Sequence, residues 1–142
     1  MRYKFSLDTR IRQYIEWQIE HYHEDKRQLE AAKADMIPSP TASYSLTAGT
    51  SSGSVSRSTE NITMRIETNQ YIKQLEQSCA AIEKVLNRLQ KEDKELIEIY
   101  YWRHEYTAEG AGMKLNMTRR TVYRHINDIL VAVALEMGYI NL

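Results

Sequence analysis

The stretch that decides the fold is Thr118-Arg119-Arg120-Thr121-Val122-Tyr123-Arg124-His125-Ile126. Thr118 is a suitable helix N-cap, because its hydroxyl oxygen can accept a hydrogen bond from an amide of the first turn. Apolar residues then recur at helical spacing and predict a buried face: Val122, Ile126, Ile129, Leu130, Val133 and Met137. The opposite side, called the basic face below, carries Arg119, Arg120, Tyr123, Arg124 and Asn127. Guanidinium groups pair with guanine edges or phosphates and an amide pairs with adenine, so this face is typical of a DNA-binding helix.

A shorter helix is predicted immediately upstream. Thr107 can cap it, residues 108–114 can form it, and the small pair Ala111-Gly112 allows close packing against the next helix. Asn116 stands at the turn, where asparagine tolerates a left-handed backbone better than most residues. The two helices together predict a helix-turn-helix, in which the first helix crosses the phosphate backbone and the second enters the major groove. Lys114, at the end of the first helix, is then expected to contact a phosphate.

The charge of the whole chain is balanced, with 19 Lys and Arg against 19 Asp and Glu. Attraction to nucleic acid therefore depends on how the cations are distributed rather than on their sum. No acidic residue lies between Glu109 and Asp128, whereas four cations do. We also expect His125 to lie within the basic face, close to phosphate. The alternative interpretation is an ordinary amphipathic core helix whose charged side is solvated.

The run Leu115-Asn116-Met117-Thr118-Arg119-Arg120-Thr121-Val122 resembles the L-G-(apolar)-S-x-x-T-V run of the promoter-reading C-terminal domain of bacterial sigma factors. Asn116 stands in place of the usual glycine, Thr118 in place of serine, and Ala111-Gly112 in place of Ile-Ala. Residues 94–102 resemble the helix that introduces that domain. The layout of the whole chain is similar to that of the RinA-type activators of phage late operons. This resemblance implies DNA binding at a late promoter and recruitment of host RNA polymerase.

The composition predicts four parts, which are an N-terminal helix in residues 1–37, a flexible polar linker in 38–58, a long helix in 59–90 and a helix-turn-helix domain in 91–142. In the linker, 15 of 21 residues are Ser, Thr, Gly or Pro, a composition that cannot bury enough apolar surface to order itself. The N-terminal helix is expected over about residues 8–35. It has one apolar stripe: Ile11, Tyr14, Ile15, Ile19 and Tyr22.

The long helix, expected over about residues 60–90, carries an apolar seam with gaps of three and four. The members of this seam are Ile72, Leu75, Cys79, Ile82, Leu86 and Leu89. The seam either packs on the N-terminal helix within one chain, as a helical hairpin, or forms the interface of a homodimer. A dimer would present two DNA-binding helices to a repeated site.

The fold class predicted from these segments is all-α, a long helical hairpin or coiled coil followed by a small C-terminal helix-turn-helix domain. Tyr100, Tyr101, Trp102 and Tyr106 precede this domain and are expected in its core rather than as a platform for stacking bases. Cys79 is likewise expected in the core, and no apolar run is long enough to cross a membrane. We therefore expect a cytoplasmic protein, and the resemblance to phage activators implies that its location is the bacterial host cell.

Catalysis is not expected, and no cofactor or metal is predicted. His21 and His23 project about 200° apart on a helix, whereas helical metal ligands lie three or four residues apart, so a solvated polar face is the better interpretation. The chain has no glycine-rich phosphate loop and no nucleophile motif. The leading hypothesis is a sequence-specific DNA-binding transcriptional activator with double-stranded DNA and host RNA polymerase as partners. The alternatives are a phage small terminase-like DNA-packaging subunit and a structural coiled-coil adaptor without DNA affinity.

Overall fold

The computed structural model describes residues 3–35 and 55–141, with side chains described for 3–35 and 69–141. These residues form no strand, which confirms the all-α class. Within the described ranges lie six α-helices and one π-helical turn, Glu98–Trp102. The α-helices are α1 (Thr9–Glu20), α2 (Tyr22–Asp35), α3 (Val55–Arg88), α4 (Lys91–Ile97), α5 (Ala108–Leu115) and α6 (Arg119–Met137). None of the described helices is long and apolar enough to cross a membrane.

The chain divides into two compact units. The first unit comprises Met1–His23 and Gln77–Leu142, and α6 runs through its core, with α1 and α5 packed against α6. The predicted apolar face of α6 is buried as expected, apart from the half-buried Met137. The largest fully buried side chains of this unit come from α1, α4, the π-helical turn and α6: Ile15, Ile19, Leu96, Ile97, Ile99, Val122, Ile126, Ile129, Leu130, Val131 and Val133.

The second unit, Glu24–Glu76, is built from parts of α2 and α3. Its apolar contact joins Leu29, with Ala32 beside it, to Ile72 and Leu75 of the seam. Two polar contacts also join the helices, an ion pair of 2.7 Å between Lys33 Nζ and Glu76 Oε1 and a hydrogen bond of 2.8 Å from the Tyr71 hydroxyl to Gln28 Oε1. This end of the seam is therefore covered within the chain, as the hairpin interpretation predicts.

The rest of the seam belongs to the first unit, where Cys79 and Ile82 are buried and Leu86 and Leu89 are half-buried. The core position predicted for Cys79 is confirmed. Helix α3 spans Val55–Arg88 rather than 60–90, so residues 55–58, predicted as linker, are helical. The remainder of the predicted linker, 38–54, lies outside the described residues.

The single N-terminal helix predicted over residues 8–35 is wrong, because the chain forms α1 and α2 with a break at His21. A tertiary hydrogen bond coincides with this break, since Trp102 Nε1 donates to the Ile19 carbonyl over 2.9 Å. The His21 ring is hydrogen-bonded through Nδ1 to the Trp17 carbonyl over 2.9 Å and stacks on the Trp17 indole. These side chains bind carbonyls of the last turn of α1, where an uninterrupted helix would use backbone amides alone.

The aromatic run before α5 lies mainly where it was predicted. Tyr101 is buried, and its hydroxyl donates to Glu16 Oε1 over 3.0 Å, while Tyr100 and Trp102 are half-buried. Burial raises the pKa of the Tyr101 hydroxyl, and the neighbouring Glu16 carboxylate raises it further. The prediction for Tyr106 is wrong, because 37% of this residue is exposed.

Candidate nucleic-acid interface

Helix α5 begins at a capped N-terminus and packs closely on the following turn. The Thr107 hydroxyl oxygen accepts the Gly110 amide over 3.2 Å, which confirms the predicted cap. Ala111 and Gly112 are buried, and a methyl group added at Gly112 would lie 2.5 Å from the Met117 carbonyl oxygen and 3.2 Å from Val122 Cγ2. The small pair is therefore required by the close approach of α5 to the start of α6.

The turn between α5 and α6 consists of Asn116, Met117 and Thr118. Asn116 has φ 55° and ψ 42°, the left-handed conformation predicted for it. The Met117 amide donates to the Gly112 carbonyl over 2.8 Å, and the Thr118 hydroxyl oxygen accepts the Thr121 amide over 3.2 Å. Local hydrogen bonds thus hold both ends of the turn, and these bonds determine the direction of α6 relative to α5.

Four members of the basic face are exposed as predicted, namely Arg119, Arg120, Tyr123 and Arg124. The Arg119 guanidinium lies over the Tyr123 ring, 5.6 Å from its centroid. A hydrogen bond with Tyr123 raises the pKa of Arg119. The aromatic face also attracts the cation. Lys114 is also exposed, and its ammonium lies 5.3 Å from the centroid of the Tyr106 ring.

The cations around the turn have no acidic partner, unlike Arg12, Lys84, Arg88 and Arg103 elsewhere in the first unit. Among the described residues, no carboxylate forms an ion pair with Lys114, Arg119, Arg120 or Arg124. By contrast, Lys84 and Arg88 both pair with Glu136 at the other end of α6. A chain of zero net charge therefore presents a local cluster of uncompensated positive charge at the N-terminal end of α6.

Two polar residues of α6 are not where the sequence predicted them. Asn127 is half-buried, and its Nδ2 donates to the Phe5 carbonyl over 3.1 Å, so the amide is already engaged. His125 is also half-buried, and its Nδ1 lies 2.7 Å from Asp93 Oδ1 in the first turn of α4. The exposed basic face therefore contains neither a free amide nor a free imidazole, and consists of three arginines and a tyrosine.

The hydrogen-bond partner of Asn127 could not be predicted from the sequence. Residues 3–7, called the N-terminal segment below, lie along α6, with the Tyr3 amide donating to Asp128 Oδ1 over 3.0 Å and Leu7 buried. Tyr3 and Asp128 are 125 positions apart, and a contact of that separation has no local signature. Leu7, an apolar residue just before α1, is the one feature of this segment that could have indicated packing.

The histidines His21 and His23 belong to no metal-binding cluster among the described residues. A group of three or more His, Cys, Asp or Glu able to hold a metal ion is absent from the described ranges. His21 and His23 make aromatic contacts, the first with Trp17 and the second edge-on to Trp102 at 4.3 Å between centroids. His23 is exposed and His21 is half-buried, so the prediction of a polar face accessible to solvent is confirmed for His23, and the aromatic contacts are additional to it.

Comparison with known proteins gives one family. No curated protein and no solved structure matches the chain. A family model described as "Protein of unknown function (DUF722)" matches residues 7–134, a range that includes part of every described helix. The chain therefore belongs to the DUF722 family.

Proposed function

We propose that this protein is a sequence-specific DNA-binding transcriptional activator, acting on phage late promoters by recruiting host RNA polymerase. The observation that carries the proposal is the unpaired cation cluster beside the capped turn, which consists of Lys114, Arg119, Arg120 and Arg124. The resemblance of residues 115–122 to the promoter-reading domain of sigma factors, and of the chain to RinA-type activators, supports the activator role. Membership of the DUF722 family is compatible with the activator role.

The proposed binding mode places the first turns of α6 in the major groove, which is about 12 Å wide and admits one α-helix. Arg120 and Arg124 are free of acidic partners, so their guanidinium groups are available for guanine edges. Arg119 is stacked on Tyr123 and is better placed to hold a phosphate as a fixed cation. Lys114 contributes a phosphate contact from α5. The hydroxyls of Thr107 and Thr118 cap α5 and α6. In the proposed mode, backbone amides at these two helix N-termini also contact phosphates.

A homodimer remains part of the proposal, because two copies would read a repeated site. The dimer interface is not expected on the buried residues of the seam, since Ile72, Leu75 and Ile82 are covered within one chain. Light scattering of the full chain over a range of concentrations, with and without DNA, tests this. A mass of one chain under all conditions would reject the dimer and leave a single DNA-binding helix per complex.

Sequencing of DNA fragments selected by the purified full chain tests the proposed function most directly. We expect an enriched motif that maps to late promoters, and in vitro transcription from such a promoter with host RNA polymerase should rise when the protein is added. Enrichment at genome-packaging sites without any effect on transcription would favour the packaging subunit. No enrichment of any sequence would reject sequence-specific binding altogether.

Two variants distinguish base contacts from phosphate contacts. Arg120→Ala should weaken binding to the selected motif and relax the preference at one base position by about 1–3 kcal/mol. Lys114→Ala should weaken binding to all sequences alike and lower the salt slope by about one, as expected for one lost phosphate contact. Competition binding at several salt concentrations measures both effects. An unchanged base preference in Arg120→Ala would contradict base recognition by this residue.

A further inference from the structure

The N-terminal segment is attached to α6 by polar contacts and by burial. The Tyr3 amide donates to Asp128 Oδ1 over 3.0 Å, and Asn127 Nδ2 donates to the Phe5 carbonyl over 3.1 Å. The rings of Tyr3 and Phe5 meet edge to face with centroids 6.3 Å apart, and Leu7 is buried in the core of the first unit. Residues on both sides of Lys4 are therefore fixed to the helix, while Lys4 itself is exposed.

The point of attachment lies on the same side of α6 as the basic face. Asn127 follows Tyr123 by four residues and Arg120 by seven, spacings that return to nearly the same side of an α-helix. Asp128 follows Arg124 by four residues in the same way. The N-terminal segment therefore crosses α6 about one helical turn, or about 5.4 Å, beyond the last arginine of the basic face.

The N-terminal segment brings a cation to a part of α6 that carries an anion. Asp128 by itself would repel phosphate; its Oδ1 accepts the Tyr3 amide, and Lys4, which follows Tyr3 in the chain, adds one positive charge that offsets the carboxylate. No carboxylate among the described residues forms an ion pair with Lys4. The row of unpaired cations therefore extends from Arg119, at the start of α6, to Lys4 at the crossing.

From this geometry we infer that the N-terminal segment is part of the DNA-binding surface, with Lys4 as a phosphate contact and Asn127 as the positioning residue that holds the segment on α6. This inference rests on the proposed function and extends its binding site. The inference also gives Asn127 a role different from adenine recognition, because its side-chain N–H donates a hydrogen bond to the Phe5 carbonyl. The part of α6 that reads bases then ends at Arg124.

Measurement of the salt dependence of DNA binding by full-length variants tests the inference. Lys4→Ala should lower the salt slope by about 0.9 and reduce affinity about fivefold at 0.15 M salt, the effect of one lost phosphate contact on every sequence alike. Lys4→Arg should restore both. Lys84→Ala is the matched control, because its ammonium lies 3.5 Å from Glu136, which is 12 residues beyond Arg124 and about 18 Å further along α6.

The role of Asn127 is tested by Asn127→Ala and by the double variant with Lys4→Ala. We expect Asn127→Ala to reduce affinity without changing the base preference, and the double variant to bind as Lys4→Ala does, because both changes remove one contact. Loss of preference at a single adenine in Asn127→Ala would overturn the positioning role. A salt slope of Lys4→Ala equal to that of Lys84→Ala would overturn the phosphate contact.

These outcomes differ from a failure of the proposed function. If the unmutated chain selects no DNA sequence and binds none, both the function and the inference are rejected. If the unmutated chain binds its motif normally and Lys4→Ala behaves like the unmutated chain, the inference alone is rejected. Thermal unfolding of each variant by circular dichroism accompanies the binding data, and Lys4→Ala, an exposed position, provides the decisive result if Asn127→Ala is poorly folded.

Discussion

Replacement of Gly112 by alanine tests the close approach of α5 to the turn. The added methyl group would lie 2.5 Å from the Met117 carbonyl oxygen, a backbone atom, and 3.2 Å from Val122 Cγ2, a side chain with no exposed surface. Neither neighbour can move freely, so the steric cost should approach the upper end of the range of about 1–3 kcal/mol that overpacking causes. The gain in helix propensity offsets about 1 kcal/mol of this. We expect Gly112→Ala to lower the free energy of unfolding by about 2 kcal/mol.

Gly110→Ala is the matched control, two positions earlier in the same helix. Its methyl group would meet Tyr106 Cδ1 at 3.2 Å, and Tyr106 is partly exposed, so the ring is able to shift. The same gain in helix propensity should then leave the stability unchanged or raise it by up to about 1 kcal/mol. The two substitutions are chemically identical and should have opposite or clearly unequal effects.

Urea unfolding followed by tryptophan fluorescence measures the difference. Both tryptophans, Trp17 and Trp102, belong to the first unit, which also contains α5, so the signal reports on the unit that the substitution perturbs. The expected separation of the two variants is about 2–3 kcal/mol. Equal stability of the two, or a more stable Gly112→Ala, would refute the argument that this glycine is required by packing.

Three further substitutions test other parts of the structure. Ile82→Asp places a charge at a site that is 2% exposed and should destabilise the first unit by about 3–5 kcal/mol. The control Ile82→Val should cost only about 0.5–1.5 kcal/mol, and similar melting temperatures of the two variants would contradict a buried position. Thr118→Ala removes the cap of α6 and should cost about 1 kcal/mol in urea unfolding, whereas Thr118→Ser should cost less. The hydrogen bond with Tyr14 raises the pKa of Tyr139 to about 12, so Tyr14→Phe should return it toward 10.0, as measured by ultraviolet titration of tyrosinate. Because the folded pKa is the higher one, the stability linked to Tyr139 is present below pH 10 and is lost between pH 10 and about 12. Tyr14→Phe should reduce this loss and leave the part that burial causes.

The parts of the fold that could be predicted from the sequence are those governed by neighbours in the chain. Thr107 and Thr118 were predicted as caps and Asn116 as left-handed because each depends on bonds or sterics within three residues. The exposure of Arg120 followed from helical periodicity alone. The same locality explains why the all-α fold class and the exposure of the arginines on α6 could be predicted before the packing was known.

The features that sequence reasoning missed depend on distant residues. The break between α1 and α2 coincides with a hydrogen bond from Trp102 to the Ile19 carbonyl, 83 positions away in the chain. Asn127 has the periodicity of an exposed residue, yet it is engaged by a carbonyl 122 positions away. Periodicity assigns a side of a helix to solvent, and it contains no information about a segment that later packs on that side.

The division of α6 into two faces bears on how members of this family can diverge. Val122, Ile126 and Ile129 are buried in the core, whereas the three arginines of the basic face are exposed. Under the proposed binding mode, substitutions of Arg120 or Arg124 should therefore alter the preferred DNA sequence at little cost in stability, while substitutions at the buried positions should alter stability first. If the proposed function is right, related phages could acquire new operator sequences through a few exposed positions of one helix, with the rest of the domain unchanged.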